Sequence, residues 1–179
     1  MLRLDASPAL TFLPDDALDA IQSDVRAAHQ ALVGGTGKGS DALGWRDLLL
    51  TPNDALLDDL ETTAARIREN ADVLICIGIG GSYLGAEAVI QALTPYFGET
   101  GTRVVFAGNQ MSGAYLRELL ASLDGQSVYV NVISKSGTTL EPALAFRVVR
   151  AWMEERFDDV SDRIIVTTDP EKGALEELR

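Results

Sequence analysis

Two hydrophobic rhythms divide the chain at about residue 72. Before it, apolar residues recur every three or four positions. Leu18, Ile21, Val25, Ala28 and Leu32 share one face of a helix beginning at Asp15. Its early acidic residues oppose the positive end of the helix dipole. Leu56, Leu60, Ala64, Ile67 and Ala71 form a second stripe. Asn53 or Asp54 would cap that helix, because a short side-chain oxygen accepts from the unpaired N–H groups of a first turn. Residues 1–14 carry neither rhythm and read as an irregular lead-in.

From Val73 onward the apolar residues come in short continuous runs. These are Val73–Ile77, Arg103–Ala107, Val128–Ile133 and Arg163–Thr167. Runs this short and rich in β-branched residues read as buried strands. Each is followed by a turn and a helical pattern. Leu84, Ala88, Ala92 and Tyr96 follow the first run. Ser112 caps Tyr115, Leu116, Leu119, Leu120 and Leu123 after the second. Leu144, Val148 and Ala151, flanked by Ala145, Val149 and Trp152, follow the third. Asp169-Pro-Glu after the fourth resembles a cap with proline at the first helical position. Strands alternating with helices predict an α/β fold, a doubly wound and mostly parallel sheet. The expected division is an N-terminal helical arm with a Gly-rich loop, residues 1–72, and an α/β domain, 73–179.

Composition narrows the partners. The 179 residues are 46% hydrophobic and carry a net charge of −12, enough for a sizeable core and without a basic cluster for nucleic acid. No apolar run approaches the roughly 20 residues needed to span a bilayer, and no secretory leader is visible. Cytoplasmic localisation is the expectation. The single cysteine, Cys76, lies inside the first strand, where packing is its expected role. His29, the only histidine, lies in the first helix without a neighbouring catalytic constellation.

Two glycine-rich stretches resemble nucleotide loops and fail on spacing. In Gly34-Gly-Thr-Gly-Lys-Gly-Ser40, Leu32 stands five residues before Gly37, and Gly39 follows Lys38. A P-loop needs glycine and then Ser or Thr at those places, and a preceding strand. The stretch reads as a surface loop closed by an anchoring Trp45. In Gly78-Ile-Gly-Gly-Ser-Tyr-Leu-Gly85, Tyr83 occupies the third-glycine position of a dinucleotide fingerprint, and Ala86-Glu87 follows Gly85. The chemistry of close backbone approach, with Ser82 near a helix start, survives without either motif.

Ser134-Lys-Ser-Gly-Thr-Thr-Leu-Glu141 is the richer candidate. It joins the third strand to a helix and supplies hydroxyls, an ammonium, a glycine and a helix N-terminus. Such a turn suits phosphate or another compact anion. In a 2-1-3-4-5 strand order, strands one and three flank the topological switch point, where ligands bind beyond the carboxyl ends. The Gly80-Gly-Ser82 turn and the Ser134–Thr139 loop would then line one crevice, with Gly108-Asn109-Gln110 at its rim.

Ile77-Gly-Ile-Gly-Gly-Ser-Tyr-Leu-Gly-Ala86 and Val132-Ile-Ser-Lys-Ser-Gly-Thr-Thr-Leu-Glu-Pro142 strongly resemble the glucose-6-phosphate isomerase family. Gly35-Thr-Gly, Leu43-Gly-Trp45, Phe106-Ala-Gly-Asn109 and Thr167-Thr-Asp-Pro-Glu-Lys-Gly-Ala-Leu175 extend the resemblance over nearly the whole chain. It implies that 73–179 is a flavodoxin-like sugar-isomerase (SIS) domain. It further implies interconversion of glucose 6-phosphate and fructose 6-phosphate, in glycolysis and gluconeogenesis, with no redox or metal cofactor. The family's phosphate-holding residues match Ser134, Ser136, Thr138 and Thr139, with backbone from Lys135 and Gly137, and its Gly-Ser pair falls on Gly81 and Ser82. The family's catalytic glutamate, histidine, lysine and arginine belong to a second half that this span does not contain. No catalytic residue is therefore assigned here. Glu141 belongs to the first turn of the following helix.

Three readings follow: the N-terminal part of such an isomerase, a non-catalytic phosphosugar-binding SIS module acting in regulation, or a fragment that needs a complementary chain. No helix stop signal precedes Arg179, so the chain reads as cut short. The resemblance also implies a homodimer in the complete protein. A half of such an assembly exposes apolar surface. Self-association of the 179-residue chain is therefore expected; light scattering that shows a clean monomer over a wide concentration range would contradict it.

Overall fold

The computed structural model describes residues 3–95, 97, 101–169 and 173–175. Tyr96 and the Pro170-Glu171 cap predicted from sequence lie outside the described residues. The chain forms two compact units, Met1–Leu57 and Asp58–Arg179.

The first unit is helical: α1 (Ser7–Leu10), α2 (Ala17–Gly34) and α3 (Gly44–Leu50). α1 adds a short turn of helix to the stretch expected to be irregular. Its Pro8 suits a first turn, where a missing N–H costs nothing. α2 ends at Gly35 in the left-handed region. The loop that follows is not anchored by Trp45, which is 58% exposed. The neighbouring Arg46 holds it instead. Its guanidinium donates to the carbonyls of Leu32 and Val33 at 2.8 and 3.0 Å. A planar guanidinium reaches two helix-end carbonyls together, one of which also accepts from Gly35 N–H, and a single indole N–H cannot do this.

The helix α4 (Asp54–Asn70) is capped by Asn53, whose Oδ1 accepts from Leu56 N–H at 3.1 Å. Four parallel strands follow: β1 (Val73–Ile77), β2 (Arg103–Ala107), β3 (Val128–Ile133) and β4 (Ile164–Thr167). Between them lie α5 (Leu84–Leu93), α6 (Gly113–Ala121) and α7 (Leu140–Glu154). The sheet order is β2-β1-β3-β4. β4 begins one residue later than expected, because Ser161–Arg163 winds into a 3₁₀ turn. Ser112 caps α6 as predicted, its hydroxyl accepting from Tyr115 N–H at 3.3 Å.

Alternation along the strands sorts the core into two layers. Val73, Ile75 and Ile77 of β1 and Val128, Val130 and Val132 of β3 pack with Leu116 and Leu120 of α6 and Ala145, Val149 and Met153 of α7. Full burial of each Val, Ile, Leu or Met side chain among them contributes about 1.5–3 kcal/mol. On the opposite face, Tyr129, Leu74 and Ile165 meet Ile67 and Ala71 near the end of α4. Helix cover on both faces is what lets the strands be apolar throughout.

The amino ends of the strands are laced together by polar side chains. Asp72 Oδ2 accepts from Ser127 N–H at 2.8 Å, and Thr102 Oγ1 donates to the Ala71 carbonyl at 2.8 Å. Arg163 donates to Ser127 Oγ and the Val128 carbonyl, and its guanidinium lies 4.3 Å from the ring centre of Phe157. No helix among the described residues is long and apolar enough to cross a membrane.

Cys76 is buried at 8% exposure, and burial pushes its thiol up to about 11. Burial therefore favours the neutral thiol. That contribution is complete below the unfolded thiol's pKa of roughly 8.5 and is lost as pH rises through about 11. Iodoacetamide at pH 8.5 should alkylate native Cys76 roughly 10²-fold more slowly than the denatured chain; equal rates by mass spectrometry would show that β1 is open to solvent.

Candidate functional site

The β2-β1-β3 order places the loops after β1 and β3 side by side. β1 and β3 pair in parallel from Val73 beside Val128 to Ile77 beside Val132. Their carboxyl ends therefore stop within one residue of each other, β3 running on to Ile133. A Cβ at Gly78 would lie 2.9 Å from that of Ser82 and 3.2 Å from the Ile133 carbonyl oxygen. The turn after β1 thus folds directly against the end of β3. Gly108, following β2, comes as close to the first turn of α7: a Cβ there would lie 3.2 Å from Pro142 Cα.

Gly80–Ser82 is a single 3₁₀ turn, with Gly81 exposed and Ser82 half-buried. Ser82 N–H donates to the Ile79 carbonyl at 3.1 Å. Among the described residues its hydroxyl has no recorded partner.

The Ser134 loop is organised by its own hydroxyls. Ser134 is buried at 6% exposure, and its N–H donates to the Thr167 carbonyl at 3.0 Å. Its Oγ accepts from Gly137 N–H at 3.1 Å, which closes a tight turn. Ser136 Oγ accepts from Thr138 N–H at 3.2 Å and lies 3.1 Å from Thr138 Oγ1. Lys135, Ser136 and Thr138 are exposed, and Thr139 is half-buried. Thr139 is the N-cap of α7 in extended conformation, yet its hydroxyl makes no capping bond. Pro142 in the first turn has no N–H to offer, so Leu140 and Glu141 carry the remaining free donors of the helix start. Glu141 is half-buried there, as expected for an acidic residue at a helix start.

The sequence-predicted residues do not all face one space. Ser134, Gly137 and Thr139 line a cavity of about 220 Å³ that also receives Arg147 and Arg150 of α7. Arg150 is paired with Glu154 at 2.7 Å. Gly81, Ser82, Lys135, Ser136 and Thr138 lie outside that lining. His29 is exposed on α2. No group of three or more His, Cys, Asp or Glu among the described residues could hold a metal ion.

One element escaped the sequence. Thr168, Asp169 and Ala174 hold the Ser134 loop through its main chain, and together they form its strap. Thr168 Oγ1 donates to the Ser134 carbonyl at 2.8 Å and approaches the Lys135 carbonyl at 3.3 Å. Asp169 N–H reaches the Lys135 carbonyl at 3.4 Å, and Ala174 N–H donates to the Ser136 carbonyl at 3.1 Å. The resemblance marked Thr167–Leu175 as a family-like stretch, but its spacing carries nothing that marks the Ser134 loop as its partner.

The fold and these loops define a doubly wound α/β domain with donor-rich turns at its switch point. Comparison with known proteins gives that class a family. The profile described as phosphoglucose isomerase matches residues 62–174. Glucose-6-phosphate isomerases of Staphylococcus epidermidis and Shouchella clausii are 45% and 44% identical, over 99% of this chain and 41% of theirs. A hypothetical protein of Thermus thermophilus superposes with a TM-score of 0.74 at 31% identity, over 99% of this chain and 41% of that one. A glucose-6-phosphate isomerase of Chlamydia trachomatis superposes with a TM-score of 0.54 at 27% identity, over 66% of this chain and 24% of its own. The chain belongs to the phosphoglucose isomerase family. It spans about two fifths of the length of the curated relatives it matches.

Gly137 offers a direct test of the strap. Its φ is +70°, and a Cβ would lie 2.7 Å from Leu175 N and 2.8 Å from Ala174 N. Both strain and backbone collision oppose any side chain. Gly137→Ala should destabilise the chain by about 1–3 kcal/mol in urea unfolding; an unchanged midpoint would mean the 173–175 turn does not sit against the loop.

Proposed function

We propose that this chain is the sugar-phosphate-binding part of a glucose-6-phosphate isomerase. The complete protein would interconvert glucose 6-phosphate and fructose 6-phosphate through a cis-enediol or enediolate. The observation that carries this reading is the level pairing of β1 and β3, which sets the Gly81-Ser82 turn beside the Ser134–Thr139 loop in a member of the phosphoglucose isomerase family. In this reading 1–72 is the helical arm and 73–179 the SIS domain. The complete protein is a cytoplasmic homodimer that needs no cofactor.

The residues divide the work by chemistry. Hydroxyls of Ser134, Ser136, Thr138 and Thr139 donate to the phosphate oxygens. Backbone of the Lys135–Gly137 segment and the α7 dipole add positive potential, and Gly81 and Ser82 contact the substrate from the β1 side. Gly137 N–H already donates to Ser134 Oγ, so it shapes the loop while the Ser134 O–H remains available to an anion. Holding the phosphate supplies orientation and remote binding energy. Proton transfer between C1 and C2 needs a positioned base and oxyanion stabilisation. The family's groups for those tasks are not assigned in this span, so the span binds and does not catalyse.

Calorimetric titration with fructose 6-phosphate and with unphosphorylated fructose tests the reading. The phosphorylated sugar should bind and fructose should not. Ser134→Ala/Thr139→Val should weaken binding by at least about 10²-fold, the loss of two bonds to a charged group. Equal binding by the double variant would remove the loop from the site. An isomerase rate from the 179-residue chain above that of the double variant would contradict its inactivity. Binding without turnover by the full-length protein would favour the regulatory module.

A further inference from the structure

Three consecutive carbonyls of the Ser134 loop are engaged from one side. The Ser134 and Lys135 carbonyls accept from Thr168 Oγ1 at 2.8 and 3.3 Å, and the Ser136 carbonyl accepts from Ala174 N–H at 3.1 Å. A peptide group is planar and trans, so its C=O and N–H point in opposite directions. Fixing the Ser134 carbonyl toward the strap turns Lys135 N–H away from it. Fixing the Lys135 carbonyl does the same for Ser136 N–H. Among the described residues neither N–H has a recorded hydrogen-bond partner. The next amide, Gly137 N–H, is already taken by Ser134 Oγ at 3.1 Å. Two adjacent unpartnered amides aimed out of one turn form an anion-binding concavity.

We infer that Thr168 is a positioning residue for the anion site: its single hydroxyl holds two peptide planes so that Lys135 and Ser136 present their N–H groups to the phosphate. The inference rests on the phosphate-binding reading of this loop. Three features suit Thr168 to the role. It is half-buried, and its bond to the buried Ser134's carbonyl is partly shielded, so water competes weakly there. It directly follows β4, whose Thr167 carbonyl accepts from Ser134 N–H at 3.0 Å, so strap and loop are in register. Next to Ala174, whose N–H holds the Ser136 carbonyl, Leu175 is buried in the main core at 8% exposure. Thr168 and Ala174 thus hold the loop's main chain, beside a residue anchored in the hydrophobic core.

The test uses inorganic phosphate and fructose 6-phosphate with Thr168→Val and Thr168→Ser. Valine keeps the shape and removes the hydroxyl; serine restores it. Thr168→Val should weaken phosphate binding by about tenfold, the worth of one such hydrogen bond. Thr168→Ser should bind within about twofold of the parent. A valine variant that is folded and binds as tightly as the parent overturns the inference. So does a serine variant as weak as valine. If Ser134→Ala/Thr139→Val weakens binding and Thr168→Val does not, only the positioning role fails; if neither weakens it, the phosphate site itself is misplaced. Should the valine variant not fold, the parent decides by NMR: phosphate must shift the Lys135 and Ser136 amide resonances, and bound phosphate that leaves both unmoved overturns the inference.

Discussion

Each residue of β1, from Val73 to Ile77, has β2 on one side and β3 on the other. Both pairings are parallel, and the register leaves no stagger between β1 and β3. Because parallel neighbours need crossover connections, the chain must leave the sheet at the carboxyl end of every strand and return at the amino end. Loops with ligand chemistry are thereby collected at one edge. The strand order reverses between β1 and β3, so the two donor-rich turns follow adjacent strands. Shift the register by one residue and the Gly78 approach to Ile133 would be lost, along with the apolar layer beneath it.

The fold was legible because its signal is periodic. Four strands were readable from runs such as Val128–Ile133 against helical stripes such as Ala145, Val149 and Trp152, and the strand order followed a common doubly wound pattern. Caps were legible too, since Asn53 and Ser112 act within three residues of themselves. The Ser134 loop was legible as a donor-rich turn, although how its donors divide was not. Gly137 N–H closes the turn on Ser134 Oγ, a choice set by backbone geometry and not by residue type. The strap was illegible for a related reason. Thr168 meets Ser134 from 34 residues away, through one hydroxyl and main-chain carbonyls that every residue possesses. Trp45 misled because an indole beside a glycine loop suggests packing. Arg46, one residue on, supplies the fitting donors.

Apolar exposure follows the same logic of incomplete stripes. Leu18, Ile21 and Val25 repeat at helical spacing, and each is about half exposed on α2. In α4 the stripe is used only near its carboxyl end, where Ile67 and Ala71 are buried, while Leu56 and Leu60 stay exposed. Periodicity reports that a face is built to be covered. It does not report by what, and this chain spans about two fifths of its curated relatives.

The two ends of the sheet are held by different kinds of bond. At the amino ends, side chains of Asp72, Thr102 and Arg163 lace neighbouring segments together. At the carboxyl ends, the Ser134 loop is held by its own hydroxyls and by a strap that contacts its main chain. A grip on main-chain carbonyls is indifferent to the side chains it presents. The exposed Lys135 side chain, which the grip does not use, is thus free to vary, whereas Ser134 and Ser136 are tied to the turns they close. Selection can then retune charge at the loop's tip separately from the folding held at the opposite pole.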